Sequence, residues 1–448
     1  MNLMKLYHKL PVWCQNLAVS AQGLRIQKTR YGADFDAQYR QFMERNDWSY
    51  RRKCEWRDRQ LQRLVRHCQE HVPYYRELFA REGIDWRQIR TLEDLKLLPI
   101  LDKQTVREHY EEFFADNCRR TELIEQHTSG STGSGFSFYQ DRTAHAAVWA
   151  HVWRGNHNIG LQRKMWCAYF GGRAIVPLER RHGPFYRINY PGKQIMFSIY
   201  HMHDDAFAQW KAVIDRHRPP WIQGYPSALV PFAGYLERTG QRLYYVPQII
   251  TLSSENVSPE QEELLYRVFG VYPMQNYAQC EAVATFRQRL DRRIFVDEDF
   301  SAVEFIPTGD GDLCRIVGTT LHNFAMPFLR YDTKDLATWR ETEEGREVLS
   351  LDGRDEDDIR LSDGGSIRRL SRVFQDQTSI MEAQIIQRSL EMVEFCVVRG
   401  LDYSDADEQR LKRSIGDYLT DRIGWKIVYV DSLRRNKNGK VKFIISEL

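Results

Sequence analysis

Thr128-Ser129-Gly130-Ser131-Thr132-Gly133-Ser134-Gly135 is an unbroken run of glycine and small hydroxyl residues. Glycine lets backbone N–H groups approach an anion closely and hydroxyls add donors, so this composition suits a phosphate cradle. Apolar residues before it and the alternating Phe136-Ser137-Phe138-Tyr139 after it place the loop between two strands. A kinase-type phosphate loop needs Gly-Lys-Ser/Thr running straight into a helix, and neither feature is present. A flexible Ser/Gly turn fits the same residues equally well. Two further polar clusters, Ser253-Ser254-Glu255 and Asn276-Tyr277-Ala278-Gln279-Cys280-Glu281, are expected at the carboxyl ends of strands, where open α/β sheets bind ligands.

The elements that must position these clusters are legible from periodicity. Leu61, Leu64 and Val65 share a helical face that should end before Pro73, and Tyr74-Tyr75-Arg76 starts another helix. Leu98-Pro99-Ile100 marks a turn. A helix through Ala144, Val148 and Val152 is expected to break at Gly155. The next should start with Asp204 or Asp205 as N-cap, bury Phe207, Trp210 and Ile214, and stop at Pro219-Pro220. Trp221-Ile222-Gln223 and Gln248-Ile249-Ile250-Thr251-Leu252 read as strands. Ser258-Pro259-Glu260-Gln261 is a capping box with proline at the first helical position, and Gly270 ends that helix. Strands alternating with amphipathic helices imply an α/β domain with a largely parallel sheet. Gly353 to Arg360 is charged and reads as a linker. Beyond it, strands at Phe395–Val398 and Lys426–Val430, a helix through Leu411, Ile415, Tyr418 and Leu419, and a final strand Val441–Ile445 make a small α+β domain. The basic loop Arg434-Arg435-Asn436-Lys437-Asn438-Gly439-Lys440 precedes that last strand.

The chain of 448 residues is long enough for more than one core, and Lys+Arg 64 against Asp+Glu 61 gives no signature of a nucleic-acid partner. Cys14, Cys54, Cys68, Cys118, Cys167, Cys280, Cys314 and Cys396 are scattered without a Cys-x-x-Cys pair, which reads as reduced thiols in a cytoplasmic protein. Leu17-Ala18-Val19-Ser20-Ala21 imitates a signal cleavage site, but Lys9, Gln15 and Asn16 interrupt the apolar stretch a signal needs. No run approaches a membrane span; a helix lying on a membrane surface is the alternative for this N-terminal segment. His201 and His203 lack the further ligands that a metal site requires.

The order of Gly/Ser loop, Tyr277-x-x-x-Glu281, Tyr331-x-Thr333-x-Asp335, Gly353-Arg354-x-x-Asp357 and Gly439-Lys440 resembles the adenylate-forming superfamily. Within it the chain most resembles the phenylacetate–CoA ligase family, especially the branch associated with capsular polysaccharide biosynthesis. His71-Val72-Pro73-Tyr74-Tyr75-Arg76, Leu98-Pro99-Ile100 and Gly224-Tyr225-Pro226-Ser227 extend the likeness over nearly the whole chain. The resemblance implies a helical segment over 1–100, an adenylate-forming α/β core over 101–354 and a mobile C-terminal domain over 355–448, hinged at Glu356. It implies an enzyme that uses ATP and Mg²⁺ to convert a small carboxylic acid into acyl-AMP, then transfers the acyl group to CoA or to an amine or hydroxyl. Thr128, Ser129, Gly130, Ser131, Thr132 and Gly133 would hold the outer phosphates. Tyr277 would pack on adenine in a pocket lined by Ser254 and Glu255, Asp335 would take the ribose hydroxyls, and Arg354 would contact the nucleotide. Glu281 would bind Mg²⁺, and Lys440 would reach the site during adenylation. Tyr200, His201, Gly224 and Tyr225 would line the acyl pocket.

The sequence departs from the family pattern at four places. Phe136 follows Gly135 where relatives carry a lysine; Ala278 replaces glycine, Cys280 a hydroxyl residue, and Lys334 another glycine. Cys280 reads either as a weak donor or as a small buried hydrophobe. Two alternatives to a CoA ligase stay open at this level: a CoA-independent amide or ester ligase, and a non-catalytic nucleotide-binding descendant.

Overall fold

A computed structural model describes residues 3–127, 136–354, 359–363, 365–367, 370–374, 377, 379–400, 403–420, 422–435 and 441–448. The chain forms two compact units: Met1–Ile26, Lys164–Gln275 and Asp355–Leu448 make the first, and Gln27–Arg163 with Asn276–Arg354 make the second.

In the first unit, strands Ile249–Ser253, Trp221–Gly224, Cys167–Phe170 and Gln194–Phe197 lie side by side and parallel, with Tyr186–Asn189 antiparallel at the edge. Helices Asp204–His217, Pro226–Arg238 and Pro259–Phe269 supply the apolar faces that cover them. The core is aromatic: Phe170 stacks on Phe197 at 4.6 Å and meets Trp210 edge-on at 5.3 Å. The Ser258 capping box forms with both of its bonds, and Gly270 closes that helix at φ 78°, a left-handed conformation that glycine adopts without strain. One expectation shifts here. His203, not Asp204 or Asp205, is the N-cap of its helix, and both acids occupy the first turn, where they face the positive end of the helix dipole.

The C-terminal residues of this unit form a four-stranded sheet in the order Gly424–Tyr429, Met392–Arg399, Ile380–Ser389, Ile444–Ser446, covered by helix Asp405–Leu419. The last strand begins later than its apolar residues suggest, because Val441 is taken by a bridge to Arg435. The expected linker is also shorter: Gly353 and Arg354 end the strand Gly345–Arg354, and Ile359–Arg360 pairs with Ser366–Ile367.

The second unit is antiparallel where the sequence reading expects parallel strands. Its strands run in the order Ser301–Pro307, Cys314–Thr320, Tyr331–Thr342, Gly345–Arg354, Ile294–Val296, Thr285–Gln288, followed by the Asn276–Ala278 end of Pro273–Ala278. No α-helix intervenes between these strands, so short connections return the chain beside itself. Strands Ile124–His127 and Ser137–Gln140 pair as a hairpin around residues 128–135, with His127 opposite Ser137. Helix Arg142–Asn158 continues through Gly155 instead of breaking there. A Cβ at Gly155 would lie 1.7 Å from a guanidinium nitrogen of Arg287, so this glycine serves close approach rather than termination.

That guanidinium belongs to a buried ionic network. Asp297, Glu298 and Asp299 are consecutive acids; the last two are nearly inaccessible and Asp297 is partly buried. Asp299 accepts from Arg45 at 2.9 Å and Arg154 at 2.5 Å, and Glu298 from Arg57 at 2.5 Å and Arg346 at 2.6 Å. Arg287 lies 3.1 Å from Asp297. Burial pushes the acids toward protonation, but their arginines hold Asp299 and Glu298 below the ordinary carboxylate range. Asp299→Asn leaves two buried guanidiniums against a neutral amide, and we expect it to cost about 3–5 kcal/mol, read as a lower urea midpoint; an unchanged midpoint would refute the role. The unit's buried histidines set its acid response. Burial lowers His145 and His151 from 6.5 to about 4 and His322 to about 3. The unfolded chain therefore binds protons first, so stability is complete above about pH 6.5 and falls as pH drops toward 4. Thermal midpoints measured across that range should decline; a flat profile from pH 7 to 5 would contradict the assignment.

Candidate functional site

In the second unit, two strands far apart in sequence bring three polar side chains to one point. The Tyr277 hydroxyl donates to Asp335 Oδ2 at 2.8 Å, and the Gln279 amide donates to the same oxygen at 2.9 Å and to the Tyr277 hydroxyl. Tyr277 is held from below by Phe286, stacked at 4.6 Å with 19° between the rings. Asp335 is held by its backbone. Its N–H donates to Thr333 Oγ1 at 3.1 Å, and the Thr333 hydroxyl in turn donates to the Ile316 carbonyl at 2.7 Å. The Asp335 register partner is Arg354. Three residues singled out by motif therefore converge, Arg354 through its backbone. Gln279 is an addition: the sequence reading had it only as a spacer within the Tyr277 motif. The Gln279 carboxamide oxygen is buried without a hydrogen-bond partner, a vacant acceptor beside the carboxylate expected to hold ribose.

Lys334 explains its own departure from glycine. It sits at φ 62°, the left-handed region that glycine favours, and its turn is kept. Its N–H donates to Asp332 Oδ1 at 2.9 Å and its ammonium lies 3.1 Å from Asp332 Oδ2. The ammonium thus joins Arg315, 3.5 Å from the same oxygen, in meeting the buried Asp332 carboxylate. Glu281 receives the Tyr331 hydroxyl at 3.5 Å. Cys280 is exposed, which rules out the buried-hydrophobe reading. Among the described residues no cluster of three or more His, Cys, Asp or Glu could hold a metal.

In the first unit, Glu255 follows the strand Ile249–Ser253, after Ser254 at φ 70°. Its carboxylate accepts from the Ser227 N–H and hydroxyl, both at 2.9 Å, and from the Val441 N–H at 3.2 Å. Arg435 donates to Ser227 Oγ at 2.7 Å and to the Ser227 carbonyl, and lies 3.4 Å from the buried Glu382. Gln384, fully buried on the same strand as Glu382, donates to the carbonyls of Arg434 at 2.9 Å and Lys442 at 2.8 Å. Both flanks of residues 436–440 are therefore fastened. The roles of Glu382, Gln384 and Arg435 were missed at the sequence level. Their signal was a pair of polar residues at strand spacing, 382 and 384, in an otherwise apolar run.

The residues expected around an acyl group lie in the same unit. The Tyr200 hydroxyl donates to the Gly172 carbonyl at 2.8 Å. Burial first, then Tyr169, raises the Tyr225 hydroxyl to about 12, against a hydrogen bond with the Gly172 backbone. A Cβ at Gly224 would lie 2.7 Å from Phe170 Cβ and 3.0 Å from its carbonyl oxygen, so only glycine lets these parallel strands meet. His201 is buried, stacked on Phe185 at 4.9 Å and bonded to Ser198 Oγ at 2.8 Å, a packed position. Thr128 to Gly133, Glu356 and Lys440 lie outside the described residues.

Glu382 gives this cluster a pH signature. Burial raises its carboxyl from 4.5 to about 7; Arg435 opposes that rise and Glu255 adds to it. The folded chain holds this proton more tightly, so the stabilisation is complete below about pH 4.5 and disappears as pH rises through about 7. Hydrogen exchange in Ile380–Ser389, corrected for intrinsic chemistry, should accelerate between pH 6 and 8, and Glu382→Gln should remove the dependence. The same pH response in both proteins would count against it.

Residues 360–447 match the family of CapK C-terminal domains. Protein CapK of Staphylococcus aureus is 20% identical over 456 residues, covering 99% of each chain. A phenylacetate–coenzyme A ligase of Thermus thermophilus is 38% identical over 313 residues, 62% of this chain and 64% of that protein. The crystal structure of a 2-hydroxyisobutyryl-CoA ligase in the postadenylation state, in complex with R3-HIB-AMP, shares the fold: the TM-score is 0.67 at 16% identity, over 87% of this chain and 89% of that one. Sequence likeness to CapK along the whole chain, a matched C-terminal domain and a shared fold agree: the chain is similar to CapK and to the phenylacetate–coenzyme A ligases.

Proposed function

We propose that this ligase activates a carboxylic acid with ATP and then passes the acyl group to coenzyme A, or to an amine or hydroxyl acceptor. A carboxylate oxygen attacks the α-phosphorus of ATP, the bond to the bridging oxygen breaks, and pyrophosphate leaves. The acceptor then attacks the acyl carbon and AMP leaves. The observation that carries the reading is the convergence of Tyr277, Gln279 and Asp335. It combines an aromatic face for a base, a carboxylate with two oxygens for vicinal hydroxyls, and the buried vacant acceptor of Gln279. Binding a ribose at Asp335 would replace the donors that Tyr277 and Gln279 now supply, so the carboxylate is satisfied before and after the ligand arrives.

The remaining roles follow the motif. Thr128 to Gly133 hold the outer phosphates, Ser254 and Glu255 border the base, and Arg354 contacts the nucleotide. Mg²⁺, held by Glu281 and the phosphates, would neutralise charge on the transferring group. Lys440 adds the cation that phosphoryl chemistry requires, which matters because Phe136 stands where relatives carry a lysine. Fastening of both flanks of 436–440 by Glu255, Ser227 and Gln384 supports that role. Tyr200, His201, Gly224 and Tyr225 border the acid, Glu356 is the hinge of a mobile C-terminal domain over 355–448, and the reaction takes place in the cytoplasm.

Pyrophosphate release should be screened over aromatic acids, amino acids and uronic acids, with and without CoA. Lys440→Ala should lower acid-dependent release by about 10²-fold or more while ATP binding, followed by calorimetry, is largely kept. Asp335→Ala should weaken ATP binding. Unchanged release in the first variant and unchanged affinity in the second would sink the assignments. The absence of both ATP binding and release would favour a non-catalytic descendant.

A further inference from the structure

The N-terminal helix Val12–Arg30 buries polar and small residues while leaving large apolar ones in solvent. A helix on a globular protein buries its apolar stripe and exposes its polar face. Here the buried positions are Gln15, Ser20 and Gly23. Trp13, Leu17 and Leu24 are 66%, 59% and 49% exposed.

The buried face is fixed by polar bonding. Gln15 donates to the Leu10 carbonyl at 2.9 Å and accepts from Arg187 at 2.6 Å. Asn16 accepts the Ile188 N–H at 3.0 Å, and Ser20 accepts the Tyr190 N–H at 3.2 Å while donating to the Ile188 carbonyl at 3.3 Å. A Cβ at Gly23 would lie 2.1 Å from the Asn189 side-chain oxygen. These contacts fix the rotation of the helix about its axis. The apolar stripe cannot turn inward without breaking them.

Trp13, Leu17, Ala21 and Leu24 follow one another at spacings of four, four and three, one continuous line along the solvent side. Leu6 extends the exposed apolar surface on the preceding helix Leu3–Lys9, and Tyr190 adds an exposed ring beside Ser20. Arg25 and Lys28 border the stripe on the same exposed side. Charge is as uneven as polarity. Residues 1–33 contain Lys5, Lys9, Arg25, Lys28 and Arg30 and no Asp or Glu, in a chain whose charges otherwise nearly balance.

We infer that this face docks on an anionic phospholipid surface, with Trp13, Leu17 and Leu24 entering the acyl boundary and the basic residues meeting the headgroups. The helix lies on the bilayer rather than crossing it, since no helix among the described residues is long and apolar enough to span. Charge complementarity selects this occupant over a second copy of the chain, whose own acid-free basic face would meet like charge. A tryptophan at the rim and leucines along the line suit an interface with one wet and one apolar side.

The test is co-sedimentation of the full chain with phosphatidylcholine vesicles, with and without about 30% phosphatidylglycerol. Binding is expected on the anionic vesicles, at least about tenfold weaker on the neutral ones, and weakened again in about 0.5 M salt. The double variant Leu17→Asn, Leu24→Asn should lose about tenfold in bound fraction at an unchanged thermal midpoint, since both side chains are already exposed. Lys28→Glu should weaken binding to anionic vesicles alone. No binding to anionic vesicles overturns the inference. So does a concentration-dependent dimer, seen by analytical ultracentrifugation and dissolved by the leucine variant, which would assign the face to a second copy.

Discussion

The constraint on which the second unit depends is the neutralisation of Asp297, Glu298 and Asp299. Adjacent carboxylates, two of them in a dry interior and Asp297 at its margin, are prohibitive alone and tolerable only when each is met by guanidinium. The arginines come from five places: the C-cap of helix Ala33–Glu44, helix Tyr50–His71, helix Arg142–Asn158, and strands Thr285–Gln288 and Gly345–Arg354. A hydrophobic core of the same size would stabilise as much but would not specify which element sits where. Each arginine has an assigned oxygen, so the network fixes orientation as well as proximity. The consequence reaches the site. Arg287 ties its strand to Asp297, the adjacent Phe286 supports the Tyr277 ring, and Tyr277 reaches Asp335.

Very little of that network was legible in the sequence. Motifs and capping signals are local, and local signals were read well: the helix closed by Gly270, the strand before Glu255 and the hairpin around residues 128–135 all sit where their residue types require. Arginines that meet an acid 254 or 241 residues away leave no such trace, because long-range pairing has no period. Parallel and antiparallel strands likewise share one alternation, and only the connections tell them apart. The alternation of strands and helices up to Pro259–Phe269 suggested a parallel arrangement that the later hairpins do not continue.

Glycine was the least reliable sign. Gly155 reads as a break because a glycine inside a helix costs about 1 kcal/mol relative to alanine. It is retained because Arg287 fills the space that a side chain would take. Lys334 is the converse. A non-glycine residue stands in the left-handed region, with its ammonium on a buried carboxylate that Arg315 also meets. In both cases the local preference loses to a charge inside the same unit.

The C-terminal residues of the first unit apply the same principle to a single cation. Arg435 stands beside Glu382 and donates to Ser227, which itself donates to Glu255, so two carboxyl groups draw on one guanidinium. Burial above all, with Glu255 adding to it, keeps the Glu382 proton to about 7, and burial raises Glu255 as well, against its three N–H or O–H donors. An arginine facing a phosphate site without such partners would bind the anion itself, bidentately. Arg435 is instead committed to Ser227 and Glu382. Gln384 and Glu255 hold the residues on either side of 436–440. In both units arginine, with its directional donors, holds named oxygens in place.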